Sequence, residues 1–266
     1  VARGHIEIIH TNDQAIFDLE SVGWSYDSHA RKLSQDSETD AISMVLNLPP
    51  TYRRWAGTFE HTAELYVLSG YLMIGGVTLG AGAYQLLPGG VMQGEWRSDE
   101  GCTVWMKTDG SPRLHPSVGA GEKLPDALDT ATMDWIFSPI PGPPCGLLLK
   151  PLRVDMETGA STFLSGIVPQ YHYPFIEYHR CVEEAFLIRG DIRLGTSGNM
   201  EAGSYFYRPP YVSHGPFYSH TGMLGLLSTD GALDNHYIED PFRTPEQNRA
   251  DSQHEAPAPN LLTTEN

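Results

Sequence analysis

Apolar residues along this chain alternate with polar ones in short runs closed by glycine and proline, a period of two that predicts strands. The opening run His5-Ile-Glu-Ile-Ile-His10 alternates briefly and reads as a first strand. From residue 41 to about 109 come ISMVLNLP, AELYVLSG, YLMIGGVTLG, AYQLLP and CTVWMKTD, with turns between them. The same succession recurs from residue 147 to about 227. Residues 25–40 are polar and aperiodic, which predicts a loop, and residues 110–145, rich in Pro and Gly, predict a crossover. Short helices are predicted only at residues 12–19 and 245–252. The polar tail, residues 241–266, has too little apolar content to offset its ordering entropy, which predicts a disordered segment or an arm on a neighbour.

Two stretches share landmarks. The first reads His61-Thr-Ala-Glu64 through Gly70, then Gly82 through Pro88 to Gln93; the second reads Glu177-Tyr-His179 through Glu183 and Gly190, then Gly203 through Pro209 to His214. Gly70 precedes Pro88 by 18 residues and Gly190 precedes Pro209 by 19, an internal repeat of about 120 residues. The predicted fold is therefore all-β: two tandem barrels, residues 1–130 and 131–240, followed by the tail at 241–266. Anchoring the repeat on its glycines pairs Phe59 with His179 and Ala63 with Glu183, and anchoring on its prolines pairs Gln93 with His214. A slip of one or two residues would bring in His61 and Glu64, but these do not share a strand face. The first barrel is expected to be a degenerate, metal-free copy.

The second copy carries the chemistry. Strand parity puts Glu177, His179 and Glu183 on one face and Glu184 on the other, and His214 arrives after the Pro209-Pro210 turn. Two imidazoles and a carboxylate aimed at one point form a facial metal set that leaves positions open for a ligand.

These residues resemble the cupin superfamily. Its first motif, roughly H-x-H-x(3,4)-E-x(6)-G, fits His179-x(3)-Glu183-x(6)-Gly190, with Glu177 in place of the leading His. Its second, G-x(5)-P-x-G-x(2)-H, fits Gly203 through Pro209 to His214, with Tyr211 replacing a Gly. More narrowly, EYHRCVEEAFLIRGDI and GSYFYRPPYVSHGPF resemble uncharacterised bicupins related to the cupin half of ChrR-type anti-sigma factors. The resemblance implies jelly-roll-like barrels and one divalent transition metal per chain on His179, Glu183 and His214, with Glu177 as a fourth ligand. Iron leads, and Mn, Ni, Co and Zn accept the same donors. It also implies a mononuclear dioxygenase acting on a small carbonyl, diketone or phenolic compound. The alternatives are a redox-neutral lyase or isomerase on the same metal, and a non-catalytic metal- or ligand-binding sensor. No helical sigma-binding domain is visible, so the regulatory role of that family does not transfer.

Composition narrows the partners. A formal charge of −16 argues against nucleic acid and against anionic membrane surfaces. Arg180, Arg193 and Arg208 are the cations near the motifs that could hold an anionic substrate. Tyr171, His172, Tyr173, Tyr205 and Tyr207 flank the ligands; His172 is the candidate general base and Tyr207 the candidate hydrogen-bond donor among catalytic residues. The three cysteines, Cys102, Cys145 and Cys181, make no disulfide framework, and Cys181 reads as a small buried hydrophobe near the ligands. With no long apolar run and no visible leader, a cytoplasmic protein is expected, and exposed sheet edges favour a homodimer.

Overall fold

A computed structural model describes residues 3–24, 28–119, 121–139 and 142–253. Two compact units divide the chain: Val1–Arg3 with Thr11–Met133, and Gly4–His10 with Asp134–Asn266. Both are built from antiparallel strands, and among the described residues the one α-helix is Pro245–Ser252. It is closed at its start by a capping box between Thr244 and Gln247. No helix among the described residues is long and apolar enough to cross a membrane.

In the first unit, the strand Ala63–Ile74 lies between Ala83–Leu87 and Cys102–Thr108, and the sheet continues through Ile42–Leu48 to His29–Gln35. Ile42, Met44 and Leu46 alternate inwards to meet Leu65, Val67, Val104 and Met106, which is the burial the period-two pattern encodes. The second unit repeats the plan. Glu183–Leu194 lies between Ser204–Arg208 and Met223–Thr229, with Ser161–Ile167 and Leu147–Val154 beyond.

The repeat extends to details. Each long central strand has 12 residues, and each carries one unpaired extra residue, Leu68 and Ile188, at a bulge before its glycine. Gly70 (φ 77°) and Gly190 (φ 81°) then adopt left-handed backbone. A Cβ on either would run into the carbonyl oxygen of Gly101 or Gly222, so the motif glycines are required twice over.

Four expectations change. The predicted loop at 25–40 contains the strand His29–Gln35, which turns only Ala30, Leu33 and Ser34 fully inwards, too few apolar residues to leave a readable period. The helix predicted at 12–19 is a 3-10 turn, Thr11–Asp13, and a two-residue strand, Ile16–Phe17. The tail, expected to be disordered or an arm on a neighbour, instead docks through the helix Pro245–Ser252, which is the short helix predicted at 245–252; residues 254–266 lie outside the described residues. Finally, the opening strand Ile6–His10 belongs to the second unit, where it pairs with Ser204–Arg208. The matching edge of the first unit, Ala83–Leu87, is covered by Leu128–Asp129.

Candidate metal centre

The strand Ile176–Tyr178 stops just before His179, and a bend carries the chain to Glu183 at the head of the long strand. Strand parity therefore does not run through this segment; the bend itself leaves both His179 and Glu183 pointing inwards. His214 is fixed opposite Glu177 by an isolated antiparallel bridge, with Glu177 N donating to His214 O at 2.9 Å and His214 N to Glu177 O at 2.8 Å. Ligand atoms of Glu177, His179 and His214 all lie within 4.8 Å of one another. Glu183 joins them: its Oε2 is 3.9 Å from His179 Nε2 and 3.8 Å from His214 Nε2, and Glu177 Oε1 is 3.8 Å from His214 Nε2. Donors about 2.1 Å from a common ion stand roughly 3–4 Å apart, so the set fits one transition metal with little adjustment.

The neighbours of each ligand prepare it for that task. Nδ1 of His179 lies against the backbone oxygen of Asp234, and Nδ1 of His214 is 3.2 Å from Val212 O. A ring nitrogen facing a carbonyl must carry the proton, so each Nε2 keeps its lone pair for the centre. Burial, then the charge of the neighbouring Arg208 guanidinium, hold the His214 imidazole well below its ordinary range, so it stays neutral. Burial pushes the Glu177 carboxyl up, opposed by His179 and by the Tyr173 hydroxyl, which donates to Glu177 Oε2 at 2.5 Å. The Tyr173 phenol is raised by burial and by Glu177, so it remains a donor. Burial would raise the Asp234 carboxyl too, but hydrogen bonds from His236 and Arg180 bring it down to about 2.

The ligands sit at the polar end of a cavity of about 110 Å³ whose walls include Leu149, Phe163, Ile167, Leu187, Ile192 and Leu227. Arg208 lines the same end, with a side chain 4% exposed and Nη1 donating to Glu183 Oε2 at 3.0 Å. Its Nε and Nη2 are buried without a partner. Each such group costs about 1–3 kcal/mol while unsatisfied, so this edge has donors to offer a group in the pocket.

The two catalytic candidates do not reach the cavity. His172 alternates outwards between buried Tyr171 and Tyr173 and is exposed. Tyr207 has the parity of Tyr205, which donates to Glu184 at 2.6 Å; the cavity takes Phe206 and Arg208 instead. The residues that do reach it are Tyr173 and Arg208, with Asn235 donating to the Tyr173 hydroxyl at 3.2 Å. Arg208 was visible in the sequence only as a nearby cation, although sharing parity with Phe206 just before Pro209 would have placed it. Of the other two arginines, Arg180 is bound to Asp234 and Arg193 is exposed. Cys181 is buried with Leu149, Phe163 and Leu233, and burial pushes its thiol up.

The C-terminal helix braces the loop that carries His214. Asn248, fully buried, donates to Tyr211 O at 3.0 Å and to Ser213 Oγ at 2.7 Å. Ser252 meets the Tyr178 hydroxyl at 3.0 Å, so the same helix also touches the strand of Glu177.

In the first unit the equivalent place is filled by the protein itself. Gln93 pairs with Gly57 as His214 pairs with Glu177, and Arg54 faces Trp96 as Tyr173 faces Phe217. The guanidinium of Arg54 lies 4.0 Å over the Trp96 ring, near Phe59 and Trp24, and donates to Gln93 Oε1 at 3.0 Å. Burial pushes it down to about 9, so it is still a cation at neutral pH. His61 is exposed, and Glu64 accepts from Tyr84 at 2.6 Å, the counterpart of Glu184 and Tyr205.

Comparison with solved structures gives the fold. A provisionally assigned dioxygenase from Nostoc punctiforme PCC 73102 superposes with a TM-score of 0.77 at 20% identity, over 88% of this chain and 86% of that one. A single-site variant of Bacillus subtilis oxalate decarboxylase gives 0.59 at 13% identity, over 87% and 78%. The oxalate decarboxylase of Lactobacillus farciminis in a formate complex gives 0.60 at 11% identity, over 91% and 95%. The fold is that of the cupins, and the narrower ChrR-type relation gains no support from these matches. No curated protein matches the sequence. A family model described as a domain of unknown function matches residues 7–236.

Proposed function

The chain belongs to the DUF4437 family, a domain of unknown function, and we propose from the site itself that it is a mononuclear metal enzyme using dioxygen to oxidise a small carbonyl, diketone or phenolic compound. One observation carries this reading: two imidazole Nε2 atoms and two carboxylates converge at the polar end of a largely apolar pocket. His179, His214 and Glu177 would hold the ion, with Glu183 as a fourth donor shared with Arg208. A bound divalent iron would supply Lewis acidity and an electron path to oxygen. The chain's own residues do the rest. The backbone oxygens of Asp234 and Val212 fix the imidazoles, Tyr173 donates a hydrogen bond to Glu177 Oε2 and orients that carboxylate, and the apolar walls shield the bound compound from water.

The Tyr173–Glu177 hydrogen bond also favours a second reading, a redox-neutral lyase or isomerase, because it places a proton carrier beside the donors. The fold neighbours include a provisional dioxygenase and decarboxylases, so fold does not choose between the two. Elemental analysis of anaerobically purified protein should find about one transition metal per chain. With iron loaded, a panel of β-diketones and catechol-like compounds should turn over only after oxygen is admitted. Turnover without oxygen moves the assignment to the second reading, and no bound metal even after reconstitution overturns both.

A further inference from the structure

We propose that the cavity of the second unit takes a monocarboxylate with an apolar chain, its carboxylate held by Arg208; this deepens the metal reading above by naming the substrate class. Arg208 Nη1 is committed to Glu183, which leaves Nε and Nη2 as the free pair. Those two N–H groups lie along one edge of the guanidinium and point the same way, which is the fork that a carboxylate meets with both oxygens. The edge is pre-set, since the Arg208 guanidinium carbon lies 3.8 Å over the Phe206 ring and Glu183 holds its other side.

Charge limits the ligand to one negative group. Glu177 and Glu183 together balance a divalent ion, and Arg208 then leaves a single positive charge in a buried space. A monoanion neutralises it. A second carboxylate would find no second guanidinium or ammonium to receive it, since Arg208 is the only arginine or lysine among the described residues of the lining and Leu149, Phe163, Ile167, Leu187 and Leu227 make up much of the rest. The walls instead suit a hydrocarbon chain or ring carried behind the head group.

The test is calorimetric titration of the full chain, metal-free and zinc-loaded, with acetate, propanoate, butanoate and hexanoate, alongside oxalate and 1-hexanol. Hexanoate is expected to bind the zinc-loaded form more tightly than the metal-free form, where Glu177 and Glu183 are uncompensated, with affinity rising about two- to fourfold per methylene along the series in both. Arg208→Gln should weaken hexanoate at least about tenfold and leave 1-hexanol unchanged. If that variant does not fold, the wild-type comparison of hexanoate with 1-hexanol decides alone. The proposal is overturned if 1-hexanol binds as tightly as hexanoate, if oxalate binds more tightly, or if a folded Arg208→Gln variant keeps its hexanoate affinity. The two readings fail separately. Hexanoate binding by a chain that takes up no metal leaves this proposal standing and sinks the metal enzyme; metal uptake without hexanoate binding does the reverse.

Discussion

The guanidinium of Arg54 donates to Gln93 Oε1 at 3.0 Å, and Trp96 Nε1 donates to the same oxygen at 3.1 Å. Gln93 stands in the first unit where His214 stands in the second, so a fixed organic cation and an amide occupy the place that corresponds to the candidate metal centre. The two units share their strand order and their bulges, and in the first the corresponding place is packed with side chains.

Replacing Gln93 should accordingly affect stability and not metal. Gln93→Ala removes the acceptor of two buried donors, and a loss of about 1–3 kcal/mol is expected in urea unfolding. Its metal content should equal that of the wild type. Loss of metal in this variant would mean that the first unit holds a working site.

His214→Ala is expected to stay folded, because His214 sits on the bridge after the proline turn and outside the apolar core. Its metal affinity should fall by at least about tenfold, read by competition with a chelator. A variant that retains metal as the wild type does would remove His214 from the ligand set.

The Asp234 carboxyl, at about 2, lies below the ordinary 3.8, so its folded form favours the ionised state. The stability it contributes is present above about pH 4 and is lost as pH falls towards 2, a difference of about 2 kcal/mol. Asp234→Asn should therefore be less stable than wild type at pH 6, with the two converging near pH 2. Parallel acid-unfolding curves would show that Asp234 is not the group responsible.

Asn248→Ala tests the brace on the His214 loop. Losing the bonds to Tyr211 and Ser213 should cost about 1–2 kcal/mol and weaken metal binding about tenfold, while far-ultraviolet circular dichroism stays unchanged. Unaltered metal affinity would reduce the helix to a structural ornament of the tail.

Much of this was written in the sequence, and the reasons for the rest are physical. Gly70 and Gly190 were readable as landmarks because close backbone approach permits nothing larger there. Glu177, His179, Glu183 and His214 were readable because the spacing of a bend and a turn brings them together. The strand His29–Gln35 escaped notice because its partners supply most of the apolar surface. Tyr207 was favoured over Arg208 because residues buried on both faces of Ser204–Arg208 give no alternation to count from. Asp234, Asn235 and Asn248 act through contacts to residues tens of positions away, which no local pattern records.

Ile6–His10 closes the edge of the sheet that carries Glu183 and Arg208, yet along the sequence Thr11–Met133 of the first unit comes between them. During synthesis this strand must therefore wait, unpaired, until Ser204–Arg208 has emerged. A gene cut between the repeats would give a second half with a raw edge. The second unit is thus tied to the first: it cannot be inherited alone without re-inventing the missing strand.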